Sequence, residues 1–117
     1  MNRPAHRAYR VFHAGAALLI GMTTCIASNL AFAAGKVHVV MIEAMRYTPE
    51  VIEVKPGDTV VWQNKDAFPH TATAADRSFD SGSIASDGAW KFKVGRKGSF
   101  PYVCTLHPTM KATLVVK

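Results

Sequence analysis

From Lys36 onward the chain is a succession of short β-type runs separated by turn residues, and no window carries a helical period. Val37, Val39 and Met41 alternate with His38, Val40 and Ile42 in the first run. Val51–Val54 is a second, and Thr59–Asn64, rich in β-branched and aromatic residues, a third. Between those two, Lys55-Pro56-Gly57-Asp58 reads as a turn, in which Pro presets φ and Gly supplies a positive φ. Thr71–Ala74 forms a fourth run. In Ala89–Val94 the apolar Trp90, Phe92 and Val94 take one face, and Lys91 and Lys93 the wet one. Gly95–Gly98 turns the chain into Ser99–Cys104, and Lys111–Lys117 closes it with Ala112, Leu114 and Val116 on one face. Seven or eight short strands, with turn signals about every 8–12 residues, predict an all-β protein built as a β-sandwich. Pro101 lacks a ladder N–H, so an edge or a bulge is expected there.

The first third of the 117 residues is of another kind. Arg3, Arg7 and Arg10 make a basic start, Ala14–Ala27 is an apolar run of small residues around Leu18-Leu19-Ile20, and Ala31-Phe32-Ala33 is a small-x-small cleavage signal. This is the layout of a secretory signal peptide. A retained anchor is the alternative. The run is short for a spanning helix of about 20 residues, and Thr23, Thr24 and Asn29 dilute it. Residues 1–33 are therefore expected to be removed and 34–117 to form the one domain, exported to the periplasm with no stable membrane insertion. Lipidation at Cys25 is disfavoured by the poor acceptor context Met22-Thr23-Thr24. Losing the three arginines takes the formal charge from +6 to about +3. The arginine-rich, aromatic-interleaved patches of a nucleic-acid binder are missing.

Cleavage would leave Cys104 as the sole cysteine. A lone thiol in an oxidising compartment has no disulfide partner, and metal coordination would shield it. Cys104, His107 and Met110 stand at i, i+3 and i+6, with Leu106-His107-Pro108 turning the chain between two strands. His70, after Pro69, would come from a second loop. Two imidazoles, one thiolate and one weak thioether suit copper in an electron-transfer site. Structural zinc takes Cys, His and carboxylate but no thioether. His70, Cys104 and His107 would form a trigonal plane with Met110 as a long axial contact, leaving no equatorial position for a substrate.

Met45-Arg46-Tyr47-Thr48-Pro49-Glu50, then Val54-Lys55-Pro56-Gly57-Asp58-Thr59-Val60-Val61-Trp62, Asn64 and Phe68-Pro69-His70 resemble the cupredoxins. Phe100, Tyr102, Cys104, His107, Pro108 and Met110 continue the likeness, which is nearest to the amicyanin and plastocyanin branch. The resemblance implies a Greek-key sandwich with one type 1 copper and one-electron shuttling between larger redox proteins, without enzymatic turnover. It also implies that His107 reaches the surface through an apolar patch, with Phe68, Pro69, Leu106, Pro108 and Met45 as its candidates. A dehydrogenase or a c-type cytochrome is the kind of partner expected, with the carrier a monomer. Lys65, Lys97 and Lys111 would steer an acidic partner. Thr71 stands where these families usually have Asn, and its hydroxyl is expected to tie the two copper loops, with Asn64 as an alternative tie. Pro108 has no N–H to offer the Cys104 sulfur.

A copper-buffering or delivery module without redox turnover would use the same ligands. It would favour extra Met or His runs, and after cleavage only Met41, Met45 and Met110 remain. A dinuclear thiolate-bridged oxidase centre would need a second cysteine. His38 is expected at the rim or in solvent, Trp62 and Trp90 in the core, and Asp66 and Asp76 outside any catalytic pairing.

Overall fold

The computed structural model describes residues 34–117 and the isolated residue 15. The expected signal peptide and Cys25 lie outside the described residues. Eight strands form: β1 Val37–Glu43, β2 Arg46–Thr48, β3 Val51–Val54, β4 Thr59–Asn64, β5 Thr73–Ala74, β6 Ala89–Lys93, β7 Gly98–Val103 and β8 Lys111–Val116. They make two four-stranded sheets, ordered β2-β1-β4-β6 and β3-β8-β7-β5. The parallel pairs β1–β4 and β3–β8 come from chain crossings between the sheets, and the result is a Greek-key sandwich.

Period-2 alternation decides what is buried. Val40, Ile42, Val60 and Trp62 from one sheet meet Ile52, Val54, Phe100, Tyr102, Leu114 and Val116 from the other. Trp62 is fully buried against Tyr102, Phe79 and Trp90, with ring centroids at 5.6, 5.6 and 5.4 Å. Trp90 and Phe92 are half-buried at the border of this core, and Lys91 and Lys93 are exposed. Pro101 sits at an edge position. Its carbonyl accepts the Ala75 N–H at 2.9 Å just beyond the end of β5, so no strand asks for the missing donor.

Two local features set the ends of the sandwich. The β1–β2 hairpin turns through Ala44 and Met45, both at positive φ (51° and 60°), with Glu43 paired to Arg46. This is a type I′ turn made without the usual Asn-Gly, and it strains each residue by about 1–2 kcal/mol. Near the start of β1, Asp58 gathers the N–H groups of Lys36 (2.9 Å) and Lys55 (3.0 Å), and His38 Nε2 lies 2.8 Å from its carboxylate. The Lys55 N–H first, then His38 and the Lys36 N–H, hold the Asp58 carboxyl down to about 2. His38 is thus part of a clasp between β1 and the β3–β4 turn.

Candidate metal centre

His70 is delivered by the loop after β4. Asn64 ends that strand and organises the loop, its amide donating to the carbonyls of Phe68 (2.7 Å) and Ile84 (3.0 Å) and its oxygen accepting the Asp66 N–H (3.0 Å). His70 and Ile84 exchange backbone hydrogen bonds at 3.1 and 2.7 Å. Asn64 therefore braces the His70 loop against the segment before β6 and does not bridge the two ligand loops. The His70 ring is fully buried, and its Nε2 lies 2.8 Å from Asp66 Oδ2. Burial raises the Asp66 carboxyl, but hydrogen bonds from Met45, His70 and Ala44 outweigh it and hold it below the usual carboxylate range. Asp66, expected outside any catalytic pairing, is instead the hydrogen-bond partner of His70, and its position four residues before that histidine is the one signal of this in the sequence.

Cys104, His107 and Met110 lie on the loop joining β7 to β8. Three backbone bonds coil it: His107 N–H to Cys104 O (3.3 Å), Met110 N–H to His107 O (3.0 Å) and Cys104 N–H to Met110 O (3.2 Å). Cys104 and Met110 are buried and His107 is half-buried. Thr71 makes the expected tie. Its N–H donates to Cys104 Sγ at 3.3 Å, and its hydroxyl accepts the Thr105 N–H at 2.9 Å. The Tyr47 hydroxyl donates to the Thr71 carbonyl and fixes this residue from behind. Burial first, then Cys104 and Tyr102, push the Tyr47 phenol far above its usual range, so it stays a neutral donor.

Three electron-pair donors converge. His70 Nδ1 and His107 Nδ1 are 3.7 and 3.8 Å from Cys104 Sγ and 3.2 Å from each other. An ion about 2.0 Å from each nitrogen and about 2.3 Å from sulfur, with angles near 120°, spaces its donors at about 3.7 Å (S to N) and about 3.5 Å (N to N). The observed triangle fits that arrangement. With Nε2–H of His70 directed at Asp66, its Nδ1 lone pair is free for the ion. A thiolate with two imidazoles holds a borderline-to-soft transition metal, and the buried position of Cys104 and His70 keeps water away.

His107 is half-buried, and apolar side chains adjacent in sequence to it or to His70 are exposed, with Phe68 61% and Leu106 51% accessible and Pro69 and Pro108 also exposed; Met45, whose N–H meets Asp66, is 39% accessible. Lys111, at the start of β8, flanks the ligand loop and shares a cleft with Met45, Arg46 and Thr109. Lys97 does not belong to this end: it precedes β7, whose other end leads into Cys104. No helix among the described residues is long and apolar enough to cross a membrane.

The cupredoxin-like domain family matches residues 15–116. The chain is 30% identical over 115 residues to amicyanin-alpha of Methylorubrum extorquens, covering 94% of this chain and 93% of the relative. It is 31% identical over 84 residues to amicyanin of Paracoccus versutus, covering 68% of this chain and 64% of that protein's length. A solved Cu(I) form of an amicyanin variant superposes with a TM-score of 0.65 at 32% identity, covering 74% of this chain and 87% of the other.

Proposed function

Because this chain belongs to the cupredoxin-like family, we propose that it is a blue-copper electron carrier, passing single electrons between larger redox proteins in the periplasm. His70, Cys104 and His107 would hold the copper, with the buried Met110 thioether as the weak fourth donor. The observation that carries this is the convergence of His70 Nδ1, His107 Nδ1 and Cys104 Sγ within 4.8 Å of one another. Bound copper supplies Cu(II)/Cu(I) one-electron chemistry to the site. The chain's own residues do the rest. Asp66 directs His70, and Thr71 gives the Cys104 sulfur one N–H donor and clamps the second loop. Pro108 contributes no donor. Two braced loops limit rearrangement of the donors when the charge of the site changes. Solved amicyanins, which include oxidised, reduced and Cu(I) forms, support the same reading.

His107 is the exit for the electron, through the patch of Phe68, Pro69, Leu106, Pro108 and Met45. A small apolar face suits a brief encounter with a dehydrogenase or a c-type cytochrome. Lys65 and Lys111 steer an acidic partner, and the reaction rate should fall as ionic strength rises. Full burial of His70 and Cys104 works against the easily exchanged site of a copper buffer.

Copper-loaded protein should be intensely blue and bleach on reduction. Cys104→Ser should abolish the colour even where copper still binds. A colourless Cu(II) form of the parent would overturn the ligand assignment, and sluggish, irreversible voltammetry would overturn the carrier role. The mass of the exported protein tests removal of residues 1–33.

A further inference from the structure

Asp66 lies outside the donor set, yet it touches both the site and the exposed face. Its Oδ1 accepts the Ala44 N–H at 2.7 Å, while its Oδ2 accepts the Met45 N–H at 3.0 Å and lies 2.8 Å from His70 Nε2. The two amides belong to the turn held at φ 51° and 60°, an arrangement that non-glycine residues avoid. Met45 is 39% exposed, whereas the His70 ring is fully buried. One carboxylate therefore stabilises an unfavourable turn on the docking face and, with the same oxygen that meets Met45, fixes a buried ligand.

From this geometry we infer that Asp66 is a positioning residue that locks the His70 tautomer and ties that ligand to the Ala44–Met45 turn. The inference rests on His70 being a metal ligand, as proposed above. With Nε2–H donated to Asp66, only Nδ1 offers a lone pair, and it faces Cys104 and His107. Without Asp66 the ring is free to carry its proton on Nδ1, where it opposes metal binding. Partners of this kind orient metal-bound histidines and make them better donors. The turn and the ring share one anchor, so a change at either end is felt at the other.

The test separates the two jobs of the carboxylate. Ala44→Asn with Met45→Gly gives the hairpin the sequence a type I′ turn favours, so the turn no longer depends on Asp66. Asp66→Asn is then placed in the parent and in that background. In copper-free protein, ring nitrogen shifts should report His70 as the Nε2–H tautomer in the parent and as a mixture in both Asp66→Asn proteins. Copper affinity should fall about 10–100-fold in both. Loading with diamagnetic Cu(I) should shift the Ala44 and Met45 amide signals in the parent and leave them nearly unmoved in Asp66→Asn. An unchanged tautomer and unchanged affinity in the self-sufficient turn background would reduce Asp66 to a turn cap. Equal Cu(I)-induced amide shifts with and without Asp66 would refute the tie. Because the tautomer is read without metal, a failure of the blue-copper assignment is distinguishable from a failure of this inference.

Discussion

Thr71→Val tests what holds the two ligand loops together, because valine keeps the shape and removes only the hydroxyl. That hydroxyl accepts the Thr105 N–H at 2.9 Å and meets Thr73 Oγ1 at 3.0 Å and Thr105 Oγ1 at 3.2 Å. Thr73 keeps its bond to Asp80 Oδ1 at 3.0 Å, and the Thr105 side chain is exposed to water. The lasting loss is the Thr105 N–H, in a partly buried place. An unmet buried donor costs about 1–3 kcal/mol, and partial access to water favours the lower half, about 1–2 kcal/mol. In a domain of this size that lowers Tm by about 4–8 °C per kcal/mol. Thr71→Ser should recover most of the loss. The N–H that reaches Cys104 Sγ belongs to the backbone and is present in every variant, so the comparison isolates the clamp. Thermal unfolding of copper-free parent, Val and Ser variants is the assay. A Val variant within about 1 °C of the parent would refute the reasoning, as would a Ser variant as unstable as Val.

Tyr47→Phe removes the donor to the buried Thr71 carbonyl and should cost about 1–3 kcal/mol in denaturant unfolding; no change would mean that the carbonyl finds another partner. Asp58 has its pKa held down to about 2 in the folded protein, so its contribution is present above the unfolded value near pH 4 and is lost as pH falls toward 2. Asp58→Asn should therefore flatten the decline of stability across that window, and parallel parent and variant curves would contradict this. A Cβ on Gly35 would stand 1.9 Å from the Gly57 carbonyl oxygen. Gly35→Ala must displace that backbone contact and should thus lower the urea midpoint; an unchanged midpoint would mean that the segment before β1 shifts without cost.

The strands were readable in the sequence because alternation and turn residues act locally, and the Cys104–Met110 spacing is likewise local. Features created by distant contacts were not. β2 is three residues long, too short to show a period. The fourth run, read as Thr71–Ala74, shrinks to Thr73–Ala74 because the Thr71 N–H goes to Cys104 Sγ and the Ala72 N–H to Ser81 Oγ at 2.7 Å. His38 meets Asp58 only through the parallel register that sets it opposite Val60. Lys97 looked like a neighbour of the ligand loop, but the length of β7 lies between them. Asp66 resembled any loop acid until Asn64 bent the loop back on itself.

His70 and Cys104 are 34 residues apart, and the strands that deliver them, β4 and β7, lie in different sheets. Their meeting requires the two sheets to have packed on one another. An unfolded chain would offer an incoming ion only the local Cys104, His107 and Met110, without His70, a weaker hold. An ion that binds the finished sandwich more tightly than the unfolded chain stabilises the fold by mass action. Tight copper binding by His70 together with Cys104 would then report that the two sheets have packed.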